Sequence, residues 1–344
     1  MLFKCGLKTL HCSSHKTLAI MNLQNLQWAA IRTVVNTSLS INRSSWFSPN
    51  TQPNLVKTYN DRHDLYPARI FLPADHAGEK LALVICVHGG GFIVNNPSGD
   101  DPLARHLADN AKCIVVSIDY RKSPQNKFPR AHEDILEQAL TLIADTELPI
   151  DRNKVALCGS SAGGNLVFGA VQNPRLRSKI CGIVGIYPLV DFIPSREEKM
   201  ASRPDPSIKD FMGQDGENYS NVGKLYLDEN NMPDFRDVRV SPTHFKSRED
   251  LPADVLLTGC EHDMLCREAE DMAEKLAGKN PKVEDASGWR AGGVQWYKAM
   301  GQTHAFEAFA LKDAEKEKVR VQRTEEMRNV ISKWLQELFS KGGK

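Results

Sequence analysis

The chain has 344 residues, of which 41% are hydrophobic and 25% are charged, and its formal net charge is +1. Because positive and negative side chains are nearly equal in number, the protein has no strong electrostatic field of one sign. This argues against nucleic acid, an anionic membrane surface or a polyanionic substrate as partner. No apolar run reaches the length of a transmembrane helix, so we also expect no stable membrane insertion.

The first sixty residues are basic and rich in hydroxyl side chains, and the first acidic residue is Asp61. They lack the continuous apolar run of a secretory signal, which favours a cytoplasmic protein, but some mitochondrial presequences share this composition. A mitochondrial location is therefore the alternative. Residues 1–20 are interpreted as a leader, either disordered or preceding the true start at Met21. The three Asn-x-Ser sequons are interpreted as incidental: Asn36, Asn42 and Asn218.

From residue 68 onward, short apolar runs alternate with helix-like stretches. The runs are nearly continuously hydrophobic and rich in β-branched residues, as in strands buried on both faces. They lie at 68–73, 81–88, 113–119, 154–159, 181–188, 253–259 and 294–299. Helices are predicted at 101–111, 129–146, 162–172 and 266–279, and an amphipathic helix runs from Met327 to Leu338. This alternation predicts an α/β fold with a mostly parallel sheet and helices on both faces.

Two segments interrupt the alternation. Residues 21–60 precede the sheet, and residues 191–250 separate two strands by far more than an ordinary loop. The core is accordingly predicted over 61–190 and 251–344, with 191–250 as a small helical insertion. A polar stretch at 281–293 is interpreted as a surface loop rather than a border of the pocket.

The eight cysteines are scattered along the chain. Four of them lie in or beside strand-like runs, where a thiol behaves as a small hydrophobic side chain, and we interpret all as reduced. Cys260 and Cys266 are badly spaced for zinc, and no second pair of ligands follows them. Neither a metal nor an organic cofactor is predicted.

The stretch CGSSAGGNL, residues 158–166, joins a predicted strand to a predicted helix. This is the context that the nucleophile motif G-x-S-x-G requires, and only Ser161 occupies its central position. Larger residues at Gly159 and Gly163 would collide with the flanking strand and helix. The N-terminus of the following helix would face negative charge developing on a substrate oxygen.

A second motif, HGGGF, begins at His88 directly after a predicted strand. Consecutive glycines at 89–91 free several backbone N–H groups to point at one atom, as an oxyanion hole requires. A phosphate-binding loop is the rival interpretation, but neither of its usual glycine patterns is present. The position 70 residues before the serine matches the loop that pairs with a nucleophile elbow.

A serine nucleophile needs a general base, and the base needs an orienting carboxylate. In α/β hydrolases the three residues occur along the chain in the order serine, acid, histidine. After Ser161, the loop that follows a late predicted strand contains Asp263, and the loop that follows the final predicted strand contains His304. Glu261 is an alternative acid on the same loop. His262 is expected to face solvent, and two other histidines have no matching position: His132 and His244.

The combined motifs resemble the hormone-sensitive lipase-like α/β-hydrolases over about residues 65–340. They comprise HGGGF, the segment DYRKSPQNKFP at 119–129, GSSAGGNL, a late Asp-x-Leu loop and a final His-x-Phe. The resemblance implies an α/β-hydrolase fold with a helical cap built from 21–60 and 191–250. It also implies Ser161 as nucleophile, Asp263 and His304 as its partners, and N–H donors in the oxyanion hole from Gly90, Gly91 and Ala162, beside Gly89.

The chain departs from the family pattern in one motif: the usual Tyr-Arg-Leu-Ala-Pro-Glu reads Tyr-Arg-Lys-Ser-Pro-Gln at 120–125. An amide therefore replaces a carboxylate at Gln125, which puts a supporting contact in doubt. Smaller departures are Met264, Ala305 and a long interval between the acid and the histidine.

The predicted function is a serine carboxylesterase that acts through an acyl-enzyme on short-acyl esters of a bulky small-molecule alcohol. The resemblance suggests a place in secondary metabolism, for example deacetylation of a fungal aromatic polyketide. An acyltransferase, amidase or lactonase could use the same triad, and a non-catalytic small-molecule receptor would lack the histidine. The only predicted partner is the small-molecule ester, with a homodimer left open.

Overall fold

The computed structural model describes residues 27–34, 36–37, 51–59, 64–208, 223–227, 234–278 and 287–341. The predicted leader at 1–20 lies outside these residues, as do parts of both segments assigned to the cap and the sequons at Asn42 and Asn218. Within the described residues, no helix is long and apolar enough to cross a membrane.

A nine-stranded, mostly parallel sheet forms the centre of the molecule, in the order β1-β2-β4-β3-β5-β6-β7-β9-β8. Its strands are β1 Leu55–Lys57, β2 Ala68–Phe71, β3 Leu81–Val87, β4 Ile114–Ile118, β5 Ile150–Ser160, β6 Gly182–Ile186, β7 Asp254–Cys260, β8 Gly288–Ala291 and β9 Val294–Ala299. Strands β4, β3, β5, β6, β7 and β9 run parallel, and the pairs β1–β2, β2–β4 and β8–β9 are antiparallel. The predicted α/β-hydrolase fold is thus confirmed.

Helices cover both faces of this sheet. They are α1 Asp101–Ala111, α2 Arg130–Ile143, α3 Ala162–Ala170, α4 Pro174–Arg177, α5 Arg196–Ala201, α6 Cys266–Ala277 and α7 Ala314–Ser340. Helices α1 and α7 bury their apolar sides in one hydrophobic cluster, and α2, α3 and α6 contribute to a second. The sequences of the parallel strands are nearly unbroken apolar runs because each strand lies between these two clusters.

Two strands at the edges of the sheet were not predicted. Strand β1 has only three residues, and its Leu55 and Val56 side chains are exposed. Strand β8 lies in the polar stretch that was expected to be a surface loop. Its Trp289 is buried, and Gly292 and Gly293, both at positive φ, turn the chain back into β9. A two-residue turn with this backbone is a strong hairpin signal. The surface-loop prediction is therefore wrong for the strand at 288–291, whereas 292–293 is an exposed turn and 281–286 lies outside the described residues.

The insertion between β6 and β7 contacts the core through two buried polar side chains. On α5, Lys199 forms an ion pair with the Glu268 carboxylate of α6 and donates to the Asp191 carbonyl. Arg203 donates to the backbone carbonyl of His262 at 3.3 Å. These contacts attach the insertion to α6 and to the loop that follows β7.

An aromatic stack joins the same insertion to the HGGGF loop. The Tyr226 ring in the helical segment 223–227 lies parallel to the Phe92 ring, with centroids 3.8 Å apart. Its carbonyl accepts the Phe128 N–H at 2.9 Å, and its hydroxyl contacts His132 Nδ1 at 3.1 Å. Both rings of the stack are fully buried, so this part of the insertion packs as core and not as a loose loop.

Candidate active site

Ser161 occupies a sharp turn between β5, which ends at Ser160, and α3, which begins at Ala162. Its backbone has φ 52° and ψ −118°, a conformation that costs free energy for a residue with a side chain. A Cβ atom at Gly159 would lie 2.3 Å from the Gly163 carbonyl oxygen, and one at Gly163 would lie 2.0 Å from the Val87 oxygen. The glycines of CGSSAGGNL therefore provide clearance around a strained serine.

The Ser161 hydroxyl lies at one end of a chain of three polar side chains. His304 Nε2 is 2.9 Å from Ser161 Oγ, and His304 Nδ1 is 2.6 Å from Asp263 Oδ2. His304 follows β9 and Asp263 follows β7, so parallel strands deliver both to the edge of the sheet where β5 delivers the serine. His304 and Asp263 are 3% and 1% exposed, so both imidazole contacts are shielded from water.

Backbone contacts fix the carboxylate and distinguish it from its neighbours. Asp263 Oδ1 accepts the Leu265 N–H at 2.9 Å, which leaves Oδ2 for the histidine. The alternative acid, Glu261, instead accepts the Gly301 N–H at 2.7 Å. His262 is only 13% exposed in its side chain, so the expectation that it faces solvent is wrong. The backbone N–H of His262 donates to the Gln302 carbonyl at 2.9 Å, which attaches this loop to the segment after β9.

The two remaining histidine candidates lie away from the triad. His132 on α2 packs against the insertion, where burial lowers its pKa to about 3 and keeps the ring neutral. His244 lies with Nε2 3.4 Å from an Asp191 carboxylate oxygen. Neither contacts Ser161 or Asp263 in the part of the chain that the structure describes.

The structure of the HGGGF loop shows that one predicted oxyanion donor, Gly89, was assigned wrongly. The Gly89 N–H donates to Ser160 Oγ at 3.0 Å, so it is not free for a substrate oxygen. The Ser160 hydroxyl therefore joins the nucleophile turn to this loop. Within the described residues, the N–H groups of Gly90, Gly91 and Ala162 have no hydrogen-bond acceptor. Those three remain as donors for an oxyanion, and Ala162 adds the positive end of α3.

Two side chains contact the Gly89 carbonyl, which belongs to the same peptide group as the Gly90 N–H. The Gly89 oxygen lies 2.6 Å from His88 Nδ1 and accepts from Asn95 Nδ2 at 3.3 Å. A trans peptide directs its N–H opposite to its carbonyl, so fixing the Gly89 oxygen aims the Gly90 N–H. The Asn95 N–H in turn donates to Asn36 Oδ1 at 2.8 Å, which links the sequon asparagine to this loop.

Asn95 was missed by the sequence analysis, although a signal existed. Its φ is 79°, and asparagine is one of the few residues with a side chain that adopts positive φ readily. An Asn-Asn pair shortly after HGGGF is therefore compatible with a turn in which one amide side chain points back at the glycines.

A second group of residues that the sequence did not reveal supports the loop after His304. The Tyr187 ring meets the His304 ring edge to face, with centroids 4.9 Å apart, and the Tyr187 hydroxyl donates to Glu307. From α7, the buried Arg320 donates to the Phe306 and Glu307 carbonyls, each at 3.2 Å. These contacts leave the imidazole little freedom to rotate away from the serine.

The departure at Gln125 has a local partner. Arg32, in the N-terminal helical segment 27–34, donates to Gln125 Oε1, so the amide keeps a hydrogen bond to a cation. Within the described residues, no group of three His, Cys, Asp or Glu side chains could hold a metal ion. The chemistry that this arrangement supports is nucleophilic attack by Ser161 with charge stabilisation by backbone donors.

Comparison with known proteins places the chain in a family. The family model described as "alpha/beta hydrolase fold" matches residues 84–288, more than half of the chain. Among curated proteins, the chain is 36% identical over 129 residues to an arylesterase of Saccharolobus solfataricus, covering 37% of this chain and 40% of that protein. It is 35% identical over 148 residues to an ethyl acetate hydrolase of Pseudomonas putida, covering 42% and 46%. The chain thus spans less than half the length of these two relatives.

Similarity to solved structures extends further along the chain. An esterase of Pyrobaculum calidifontis superposes with a TM-score of 0.70 at 25% identity, covering 90% of this chain and 93% of that one. The family match, this superposition and the motifs agree. The chain belongs to the α/β-hydrolase fold family, in its hormone-sensitive lipase-like branch.

Proposed function

We propose that the protein is a serine carboxylesterase that uses Ser161 as nucleophile, His304 as general base and Asp263 as the residue that orients the base. The observation that carries this proposal is the unbroken chain of contacts from Ser161 Oγ through His304 to Asp263, at 2.9 and 2.6 Å. A histidine that donates from Nδ1 to a carboxylate presents its Nε2 lone pair to the serine hydroxyl. The names of the two curated relatives, an arylesterase and an ethyl acetate hydrolase, also support it.

The reaction follows from the positions of these groups. Ser161 Oγ attacks the ester carbonyl carbon as His304 Nε2 takes its proton, and the carbonyl oxygen becomes an oxyanion that accepts from Gly90, Gly91 and Ala162. The carbon–oxygen bond to the alcohol then breaks, and His304 returns the proton to the leaving alcohol. Water, deprotonated by the same imidazole, releases the acid from the acyl-enzyme and regenerates the serine.

The substrate proposed is a short-acyl, acetyl-like ester of a bulky small-molecule alcohol, with a role in secondary metabolism. A relative named for ethyl acetate supports the short acyl part, and the family resemblance supports the bulky alcohol. The non-catalytic receptor is disfavoured, since a receptor has no need of a histidine held 2.9 Å from the serine.

A series of p-nitrophenyl esters from acetate to palmitate tests this function. The wild-type protein is expected to hydrolyse the acetate and butyrate esters, with a steep fall in kcat/KM for longer chains. Ser161→Ala is expected to lower kcat about 10⁴- to 10⁶-fold, whereas Ser178→Ala, at an exposed serine, leaves it unchanged.

Activity that survives in Ser161→Ala would contradict the nucleophile. Inactivity of the wild type on every ester, together with tight binding of a small molecule, would favour the receptor. Including an alcohol acceptor and a p-nitroanilide in the same series separates hydrolysis from acyl transfer and amide cleavage.

A further inference from the structure

A half-buried arginine that pairs with no carboxylate among the described residues lies beside the HGGGF loop. Arg32, in the N-terminal helical segment 27–34, donates from Nη2 to the side-chain oxygen of Gln125. Within the part of the chain that the structure describes, its buried Nε–H has no acceptor, and the two titratable groups that act on its charge are the Tyr66 phenol and the Lys122 ammonium. A guanidinium stays charged in a protein, and a cation that loses water is costly unless it is paired. The charge of Arg32 therefore lacks a counter-ion.

The amino-acid sequence around Arg32 supplies no such counter-ion. The first acidic residue is Asp61, so the sixty residues before it contain no carboxylate side chain. The hydrogen-bond partner of Arg32 is an amide, at the position where the family pattern has a carboxylate. An arginine and a carboxylate form one of the strongest hydrogen-bonded pairs in proteins, and here the carboxylate half is missing.

Contacts of the N-terminal helical segment place Arg32 close to the candidate oxyanion hole. Asn36 accepts the Asn95 N–H at 2.8 Å, and the Asn95 side chain donates to the Gly89 oxygen at 3.3 Å. Residues 36–37 are helical, like 27–34, and helical residues four apart lie on the same face, about 6 Å from each other. Arg32 thus lies about one helical turn from a residue that touches the HGGGF loop.

Contacts of Gln125 lead to the same loop from the other side. Gln125 is two residues after Ser123, whose N–H donates to the Phe92 carbonyl at 2.9 Å. Phe92 directly follows Gly91, one of the three candidate oxyanion donors. Because both sets of contacts end at the HGGGF loop, Arg32 lies within reach of a substrate that extends outward from the oxyanion hole.

We propose that Arg32 binds a carboxylate on the alcohol portion of the ester, so that the preferred substrates are short-acyl esters of alcohols that carry an ionised acidic group. This deepens the proposed esterase function and rests on it. The acyl portion is short, so the alcohol is the part long enough to leave the oxyanion hole and approach Arg32. There the carboxylate accepts charge-assisted hydrogen bonds from guanidinium N–H groups that do not bond Gln125, and it supplies the missing counter-ion.

Matched acid and amide substrates test this recognition. The series contains the acetyl esters of 4-hydroxybenzoate, 4-hydroxyphenylacetate and 3-(4-hydroxyphenyl)propanoate, each beside its carboxamide, so that charge changes while size is kept and the reach increases stepwise. We expect kcat/KM of at least one acid to exceed that of its amide, mainly through KM. Arg32→Met should lower this acid-to-amide ratio about 10- to 100-fold, as expected for losing hydrogen bonds to a charged group. An acid-to-amide ratio that does not depend on Arg32 in any of the three pairs would overturn the proposal.

Gln125→Glu separates recognition of the substrate from stability of the fold. It places a carboxylate on the atom to which Arg32 already donates, so the protein gains an internal ion pair and the substrate loses its binding partner. We expect the thermal midpoint to rise while the acid-to-amide ratio falls as it does in Arg32→Met. A higher midpoint with the wild-type ratio would show that Arg32 serves the fold alone. Should Arg32→Met fail to fold, Gln125→Glu, which retains the arginine, decides the question.

Arg248→Met is the matched control for loss of a half-buried arginine. Burial lowers the pKa of Arg248, as it lowers the pKa of Arg32. Arg248 donates to the carbonyls of residues 251–253, just before β7, whose other end leads to Asp263. The acid-to-amide ratio of Arg248→Met should equal that of the wild type, and an equal fall in both arginine variants would contradict a specific role of Arg32.

Calorimetry on the full chain carrying Ser161→Ala supplies a readout that needs no turnover. Each acid and each amide is titrated into this protein with and without Arg32→Met, and we expect an acid to bind about 10- to 100-fold more tightly than its amide only where Arg32 is present. If p-nitrophenyl acetate is hydrolysed but no acid is preferred in turnover or binding, the carboxylate site is refuted and the esterase function stands. If the binding preference is present but no ester is hydrolysed, the esterase function is refuted and the carboxylate site stands.

Discussion

Replacing Asn95 by glycine removes a side-chain hydrogen bond behind the candidate oxyanion hole. The change removes the Nδ2 donor that lies 3.3 Å from the Gly89 oxygen and keeps the backbone N–H that donates to Asn36. Because the φ of Asn95 is 79°, glycine adopts this backbone without strain. The substitution therefore acts on the side-chain contact, and the extra freedom of glycine in the unfolded chain adds a loss of stability of only about 0.4–1 kcal/mol.

The magnitude follows from the contact with the Gly89 oxygen. A neutral hydrogen bond contributes about 0.5–1.5 kcal/mol, and this one aims a donor that acts on the transition state. If the whole amount is lost there, kcat falls about 2- to 12-fold with KM unchanged. The assay compares kcat, KM and the affinity for a trifluoromethyl ketone, which forms an oxyanion on the serine and should weaken by the same factor.

Lys112→Gly is the matched control, because Lys112 also has a positive φ, of 52°, but lies exposed at the end of α1. It should leave all three quantities unchanged. The reasoning is refuted if Asn95→Gly raises KM alone, or if kcat falls while the affinity for the ketone stays the same.

Three further substitutions test the surroundings of the triad. Ser160→Ala removes the acceptor of the first glycine N–H in HGGGF, and steady-state kinetics should show kcat lower by about tenfold, whereas Ser160→Thr retains more activity. Tyr187→Phe removes the hydroxyl that donates to Glu307 behind the imidazole, and we expect kcat/KM to fall about 2- to 10-fold; an unchanged value would show that ring packing alone suffices. Lys199→Met leaves the buried Glu268 carboxylate without its cation, and urea denaturation should show a loss of about 3–5 kcal/mol, partly recovered by adding Glu268→Gln.

The alternation of apolar runs and the position of the motifs made most of the core predictable. Strands buried on both faces carry long runs of β-branched residues, so their sequence alone marks them, as in β3 and β4. The edge strands β1 and β8 were not predicted because β1 is three residues long and Trp289 is the single buried residue of β8. Their pairing depends on the neighbouring strand and not on their own composition.

The site residues were predictable where the chemistry restricts the residue type. They were less predictable where a residue's role depends on which other residue it contacts. The order of the motifs points to Ser161 and to the loops after β7 and β9. The spacing of residues in the sequence cannot show that the Gly89 N–H donates to the Ser160 hydroxyl. Nor could it show that His262 turns inward or that Asn95 reaches back to the glycines. Such contacts depend on backbone angles and on segments far apart in the sequence.

The central claim is that His304 and Asp263 activate Ser161 as a nucleophile. Incubation with diethyl p-nitrophenyl phosphate, followed by intact-mass measurement and peptide mapping, tests it most directly. The account predicts one diethylphosphoryl group per chain, located on Ser161, and labelling that slows by orders of magnitude in His304→Ala. Labelling on another residue, or equally fast labelling without His304, would contradict it.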